Sequence, residues 1–204
     1  IAASAAIRLS GQDLGSILPV VRGIHRVSAS VATLLIVAAA WLAWRGGRRR
    51  LAAAILLVTA GLSVLGAATG ISPPPWAQAG NLLGGLLLAA LLAWLLGGAQ
   101  LPHKLLWIAI ALQACLGAWI AVFADELWTP VLAGHALLGA SLVAAAAWAA
   151  LKKGRLGSLL LAIAVLASGA ASALFGLPLG ATLAHSASVA LLISAAAHAH
   201  ARLA

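Results

Sequence analysis

The chain has 204 residues, 64% of them hydrophobic and 7% charged, with a formal net charge of +9. No soluble domain of that length can hide so much apolar surface in one core, so a soluble globular protein is excluded. The basic excess does not read as nucleic-acid binding either, because the cations sit in short links between apolar runs instead of along an amphipathic face.

The sequence contains no Met, and its opening IAASAAIRL reads as the tail of a truncated or cleaved helix such as a signal anchor. Seven apolar runs follow, at 26–44, 51–70, 80–98, 104–123, 130–150, 157–174 and 180–199. Each is close to the roughly 20 residues that a helix needs to span a bilayer. The links carry the breakers: RGGRRR at 45–50, SPPPW at 72–76, GGAQLPHK at 97–104, DELWTP at 125–130, KKGRLG at 152–157 and GLPLG at 176–180. The single cysteine, Cys115, lies inside an apolar run and reads as packing. It excludes an internal disulfide, an all-Cys metal site and a covalent CxxCH haem.

Charge sets an orientation. Arg45, Arg48, Arg49, Arg50, Lys104, Lys152, Lys153, Arg155 and Arg202 fall on one side, against Arg8, Arg22 and Arg26 on the other. The acids, Asp13, Asp125 and Glu126, join the second group. The positive-inside rule makes the first side cytoplasmic, so the C-terminus is expected inside a bacterial-type inner (plasma) membrane. The eight Trp residues mostly lie near helix ends, as an interfacial aromatic belt requires.

The two halves, 1–100 and 101–204, resemble each other. In one, His25 begins a helix, RGGRRR turns it, a second helix returns, and Asn81 begins the third. In the other, His135 begins a helix, KKGR turns it, a second helix returns, and His185 begins the third. The separations are 56 and 50 residues. The expected fold is therefore an all-α integral membrane protein of two pseudo-symmetric transmembrane four-helix bundles, with seven visible spans and a truncated first helix.

This arrangement puts four residues at one membrane face. Uncharged imidazoles at matched depth on neighbouring helices are what a haem iron takes as axial ligands, so His135 and His185 are expected to hold one haem b. A bis-His iron has no open position and suits electron transfer. The corresponding pair in the first half is His25 and Asn81, and Asn cannot serve as the second imidazole. An iron there would be five-coordinate or water-ligated, or the pocket is empty. Arg22 and Arg26 flank His25 and read either as interfacial side chains or as partners for haem propionates. His103, His198 and His200 fall near the cytoplasmic face and read as interfacial residues.

The pieces IRLSGQDLGS at 7–16, RGIHR at 22–26, LQACLGA at 112–118, GHALLGA at 134–140 and FGLPLGATLAHSAS at 175–188, in this order and spacing, resemble the haem A synthase family. The resemblance implies eight helices in two four-helix bundles, a b-type haem on His135 and His185, and a substrate haem between His25 and Asn81. The family oxidises a methyl group of haem O to a formyl group, giving haem A. This chain departs from the pattern in its first half. Arg22 stands where the family carries a catalytic Glu, Asn81 stands where it carries a His, and the Cys pair of the first outer loop found in many bacterial members is missing. No catalytic residue is therefore assigned.

Three functions are compatible with these features. One is an electron-transfer cytochrome subunit with bis-His haem b, embedded in lipid and served by other redox subunits or an outer-face electron donor or acceptor, with quinone open as a partner although it has no readable signature. The second is a haem A synthase with haem O or haem A in the N-terminal half. The third is a haem-free subunit that packs within a larger membrane complex.

Overall fold

The computed structural model describes residues 18–69, 74–97, 104–123, 129–152, 155–174 and 179–201, with the side chains at several helix ends left out. Among these residues the structure is all-helical: α1 (Leu18–Arg45), α2 (Arg49–Thr69), α3 (Pro75–Gly97), α4 (Lys104–Phe123), α5 (Thr129–Lys152), α6 (Leu156–Leu174) and α7 (Leu179–Ala201). Four stretches are long and apolar enough to cross a membrane: Gly23–Arg45, Arg49–Ala68, Pro75–Leu96 and Pro130–Lys152. Ile108–Ile120, Leu156–Ser172 and Ala184–Ala195 are shorter apolar helical stretches. The protein is membrane-embedded.

The packing is inverted relative to a water-soluble protein. The buried positions are mostly small, among them Ala40, Ala43, Ala52, Ala77, Ala118, Ala162 and Ala190, and the largest fully buried side chain is Ile55. The large apolar side chains point outward: Leu34 is 72% exposed, Leu57 76% and Leu96 81%. In water that surface would be untenable; against lipid tails it costs nothing, and small interior residues let helix backbones approach closely. Hydroxyl groups are satisfied within their own helices, as membrane helices require. Thr59 donates to the Ile55 carbonyl, Ser63 to Thr59, Ser141 to Leu137 and Ser172 to Ser168.

Each helix packs against its neighbours in the chain, and α3 also packs against α7. Helices α3 to α7 therefore form a closed ring of pairwise contacts, with α2 and then α1 attached to its α3 side. One core cluster joins α1 and α2 through Ala40, Ala43, Ala52 and Ile55, with Leu88, Leu91, Leu92 and Leu95 of α3 against it. A second joins α5, α6 and α7 through Val143, Ala162 and Val165, with Val189 and Leu192 against it.

The cationic links close helices in a specific way. After α1 the Arg48 amide bonds back to the Ala43 carbonyl (2.9 Å) and the Gly47 amide to the Trp44 carbonyl (3.2 Å). This is a Schellman termination, which needs a left-handed residue, and Gly47 supplies it at φ 82°. After α5 the Arg155 amide reaches the Ala150 carbonyl over the same five-residue step (2.8 Å). The Arg48 and Arg155 carbonyls then accept the first bonds of α2 and α6, from Ala52 and Leu159.

Two helices begin earlier than the apolar pattern suggests. SPPPW reads as a link, yet Pro75 is the first residue of α3, and the Pro74 carbonyl accepts from Ala77 and Gln78. Proline is at home in a first turn, where its missing N–H would have no partner anyway. Helix α1 is described from Leu18, so His25 lies well inside it instead of at its beginning, and Arg22 lies within it too.

Gly47→Ala forces a β-carbon into the left-handed region and is expected to cost about 1 kcal/mol. Denaturant titration in detergent micelles checks this, with Gly61→Ala, which meets open space, as the comparison.

Candidate functional site

Asn81, His135 and His185 are each the seventh residue of their helices, α3, α5 and α7. Six residues at 1.5 Å per residue set each about 9 Å along its helix from the first residue. His135 and His185 are in direct ring contact. Their centroids are 6.4 Å apart and their planes meet at 76°. Helix α6, packed against both α5 and α7, holds the two helices at this spacing.

Each ring rests on a glycine of the preceding helix. A β-carbon on Gly169 of α6 would come within 3.0 Å of His185 Cε1 and 3.1 Å of its Nδ1. A β-carbon on Gly117 of α4 would come within 3.0 Å of His135 Cε1. Contacts of that length are tighter than most a β-carbon makes, so with any larger residue at either position the ring would have to shift by a few tenths of an ångström.

One turn before each glycine lies a polar partner. Val165 places its carbonyl 3.1 Å from His185 Nδ1. A carbonyl only accepts, so the proton is on Nδ1, which donates, and Nε2 carries the free lone pair. At the other ring the partner is a side chain. Gln113 Nε2 lies 3.4 Å from His135 Nε2, a long contact. The Gln113 amide is seated on Gly139, one turn after His135, where a β-carbon would come within 2.6 Å of Nε2. Helices α4 and α5 therefore interlock, His135 on Gly117 and Gln113 on Gly139. His135 Nδ1 and Gln113 Oε1 are buried without a hydrogen-bond partner. Turning the amide over changes which atoms meet at Nε2 and still leaves Nδ1 alone. A buried ring nitrogen without a partner calls for an explanation, because leaving one unpaired costs about 1–3 kcal/mol.

The first half is built differently. His25 is half-buried on α1, Asn81 is half-buried on α3, and Arg26 is exposed; the Arg22 side chain lies outside the described residues. Both α1 and α3 pack on α2. At the α2–α3 seam Leu62 lies against Gly84, three residues after Asn81, and Leu65 against Gly80. Leu62 thus takes the kind of seat that Gln113 takes on Gly139, with an apolar side chain in place of an amide. His103, Asp13, Asp125 and Glu126 lie outside the described residues, as do the side chains of His198 and His200. Among the described residues no three His, Cys, Asp or Glu gather, and Cys115 is exposed. The donor set at His135 and His185 is two imidazoles and an amide.

Comparison with protein-family models, with curated proteins and with solved structures returns no match. The sequence singles out His135 and His185 as individual residues; Gln113, Gly117 and Gly139 stand in it only inside the pieces LQACLGA and GHALLGA, and Gly169 in neither. One signal for Gln113 was available: it is a polar amide within the apolar stretch Ile108–Ile120.

Gly169→Ala is expected to displace the His185 ring from Val165 and to lower stability by about 1–3 kcal/mol, the usual cost of overpacking. Gly61→Ala, facing open space in α2, is expected to raise stability by about 0.5–1 kcal/mol. Opposite signs in paired thermal unfolding curves check the seat; equal signs contradict it.

Proposed function

We propose that the protein is a b-type cytochrome subunit of a membrane electron-transfer system, with one haem b held by His135 and His185. The observation that carries this reading is the ring pair itself. Two imidazoles on neighbouring helices with centroids 6.4 Å apart would each supply one nitrogen to hold a haem iron between them. Three further features support it: the glycines against which both rings lie, the unpartnered His135 Nδ1, and the His185 tautomer that leaves Nε2 free. A metal-bound histidine commonly donates its other N–H to a backbone carbonyl, as His185 does to Val165.

A haem held by two imidazoles passes single electrons and has no open position for oxygen. The protein's own part is orientation. Val165 and Gly169 fix His185, Gln113 and Gly117 fix His135, and the apolar helices around them exclude water. In this reading the chain forms seven spans in two related halves, 1–100 and 101–204. The C-terminus is cytoplasmic in a bacterial-type inner membrane, the haem lies toward the outer face, and the electrons come from or go to other redox subunits. This reading rests on the second half and leaves the candidate haem pair His25 and Asn81, and the candidate propionate partners Arg22 and Arg26, unassigned.

His135→Ala and His185→Ala are each expected to remove most bound haem, because one axial bond and the haem's orientation are lost. Low-spin haem retained in both variants, read by electron paramagnetic resonance, overturns the ligand assignment. Asn81→His is expected to leave the reduced-minus-oxidised spectrum unchanged; a second haem component would show that the first-half pocket is open after all.

A further inference from the structure

The α1–α2 turn and the last turns of α3 border an open groove of about 670 Å³. Its lining combines two chemistries. Part of it is cationic: Arg48, Arg49 and Arg50 in sequence. Arg48 is engaged by the fold, its Nη1 donating to the Leu95 carbonyl at 2.6 Å. That bond satisfies a carbonyl in the last turn of α3 and pins the turn beside it. Arg49 and Arg50 are the first two residues of α2 and are exposed. The described residues include no Asp or Glu to neutralise them, and the start of α2 adds the positive end of a helix dipole. The other part is apolar, Leu51 and Ala54 on α2 and Leu91 and Trp94 on α3.

A free anion would need only the cationic part. The apolar part suits hydrocarbon attached to that anion, and an indole beside it suits the boundary between headgroup and chains. We infer that the groove binds one anionic glycerophospholipid, its phosphate between Arg49 and Arg50 and an acyl chain along Leu91 and Trp94. Basic pockets between membrane helices select such headgroups over zwitterionic ones. The cationic turn after α5 is the natural comparison, because there Lys152 already lies over the Trp148 ring, 5.1 Å from its centroid.

The test is native mass spectrometry of the purified protein after exchange into dioleoyl phosphatidylglycerol or dioleoyl phosphatidylcholine. One phosphatidylglycerol is expected to survive delipidation and phosphatidylcholine is not. The double substitution Arg49→Gln, Arg50→Gln is expected to weaken retention about thirtyfold, as two cations apposed to an anionic headgroup should. Lys152→Gln is expected to leave retention unchanged. Equal retention in the double variant, or displacement of the lipid by millimolar glycerol phosphate, overturns the inference, the second in favour of a soluble phosphate ligand. A photoactivatable phosphatidylglycerol on the unaltered protein guards against a variant that fails to insert. Cross-links concentrated in 49–54 and 91–94 support the site, and cross-links spread equally over 148–155 overturn it.

Discussion

Close approach of helix backbones through small residues is the constraint on which the rest of the structure depends. Lipid tails are as apolar as leucine, so burying leucine inside the bundle gains little, and van der Waals contact between backbones takes its place. The chain responds with alanine inside and leucine outside. Ala40, Ala43 and Ala52 bring α1 against α2, and Ala162 brings α6 into the second cluster. Where a small residue becomes glycine, the approach is close enough for a neighbouring side chain to rest on bare backbone. Gly117, Gly139 and Gly169 are such places. The histidine site is therefore a local use of the same packing rule that holds the helices together.

The two histidines are seated alike and partnered differently. His185 donates to a main-chain carbonyl that cannot move without moving α6, so its tautomer is fixed by the fold. His135 meets a side-chain amide at longer range and keeps one nitrogen unpaired. Unsatisfied polar atoms are costly inside a membrane, where no water can reach them. Elsewhere among the described residues serine and threonine hydroxyls avoid that cost by bonding to carbonyls one turn back. Among the same residues, the buried unpartnered side-chain atoms are those of His135 and Gln113, beside the two facing imidazoles.

Much of this was legible in the sequence because bilayer physics is written in composition. Apolar runs of spanning length, cationic links and glycine turns located the helices, and the spacing of His135 and His185 located the pair. The helix starts were less legible. Three consecutive prolines look like a break, yet Pro75 opens α3, and cations at Arg22 and Arg26 masked the continuation of α1 back to Leu18. The seats were hidden for a different reason. Gly117 lies 18 residues before His135 and Gly169 lies 16 before His185, so each contact crosses a turn between helices and has no local periodicity. Gln113 was visible as a lone amide in an apolar run, but its role depends on Gly139 across the α4–α5 seam. The filling of the first-half seam by Leu62 and Leu65 could not be read at all, because leucine in a membrane helix looks the same facing lipid or facing a glycine.

The decisive measurement is haem extraction from the purified protein, with typing by mass and counting per chain. One haem B per chain is expected, with a reduced-minus-oxidised spectrum of the low-spin bis-histidine kind. Haem O or haem A alongside it would contradict the account and point to the synthase chemistry that the family resemblance implies. Protein that is folded and free of any haem would contradict the assignment of His135 and His185 as axial ligands and leave a helical packing subunit.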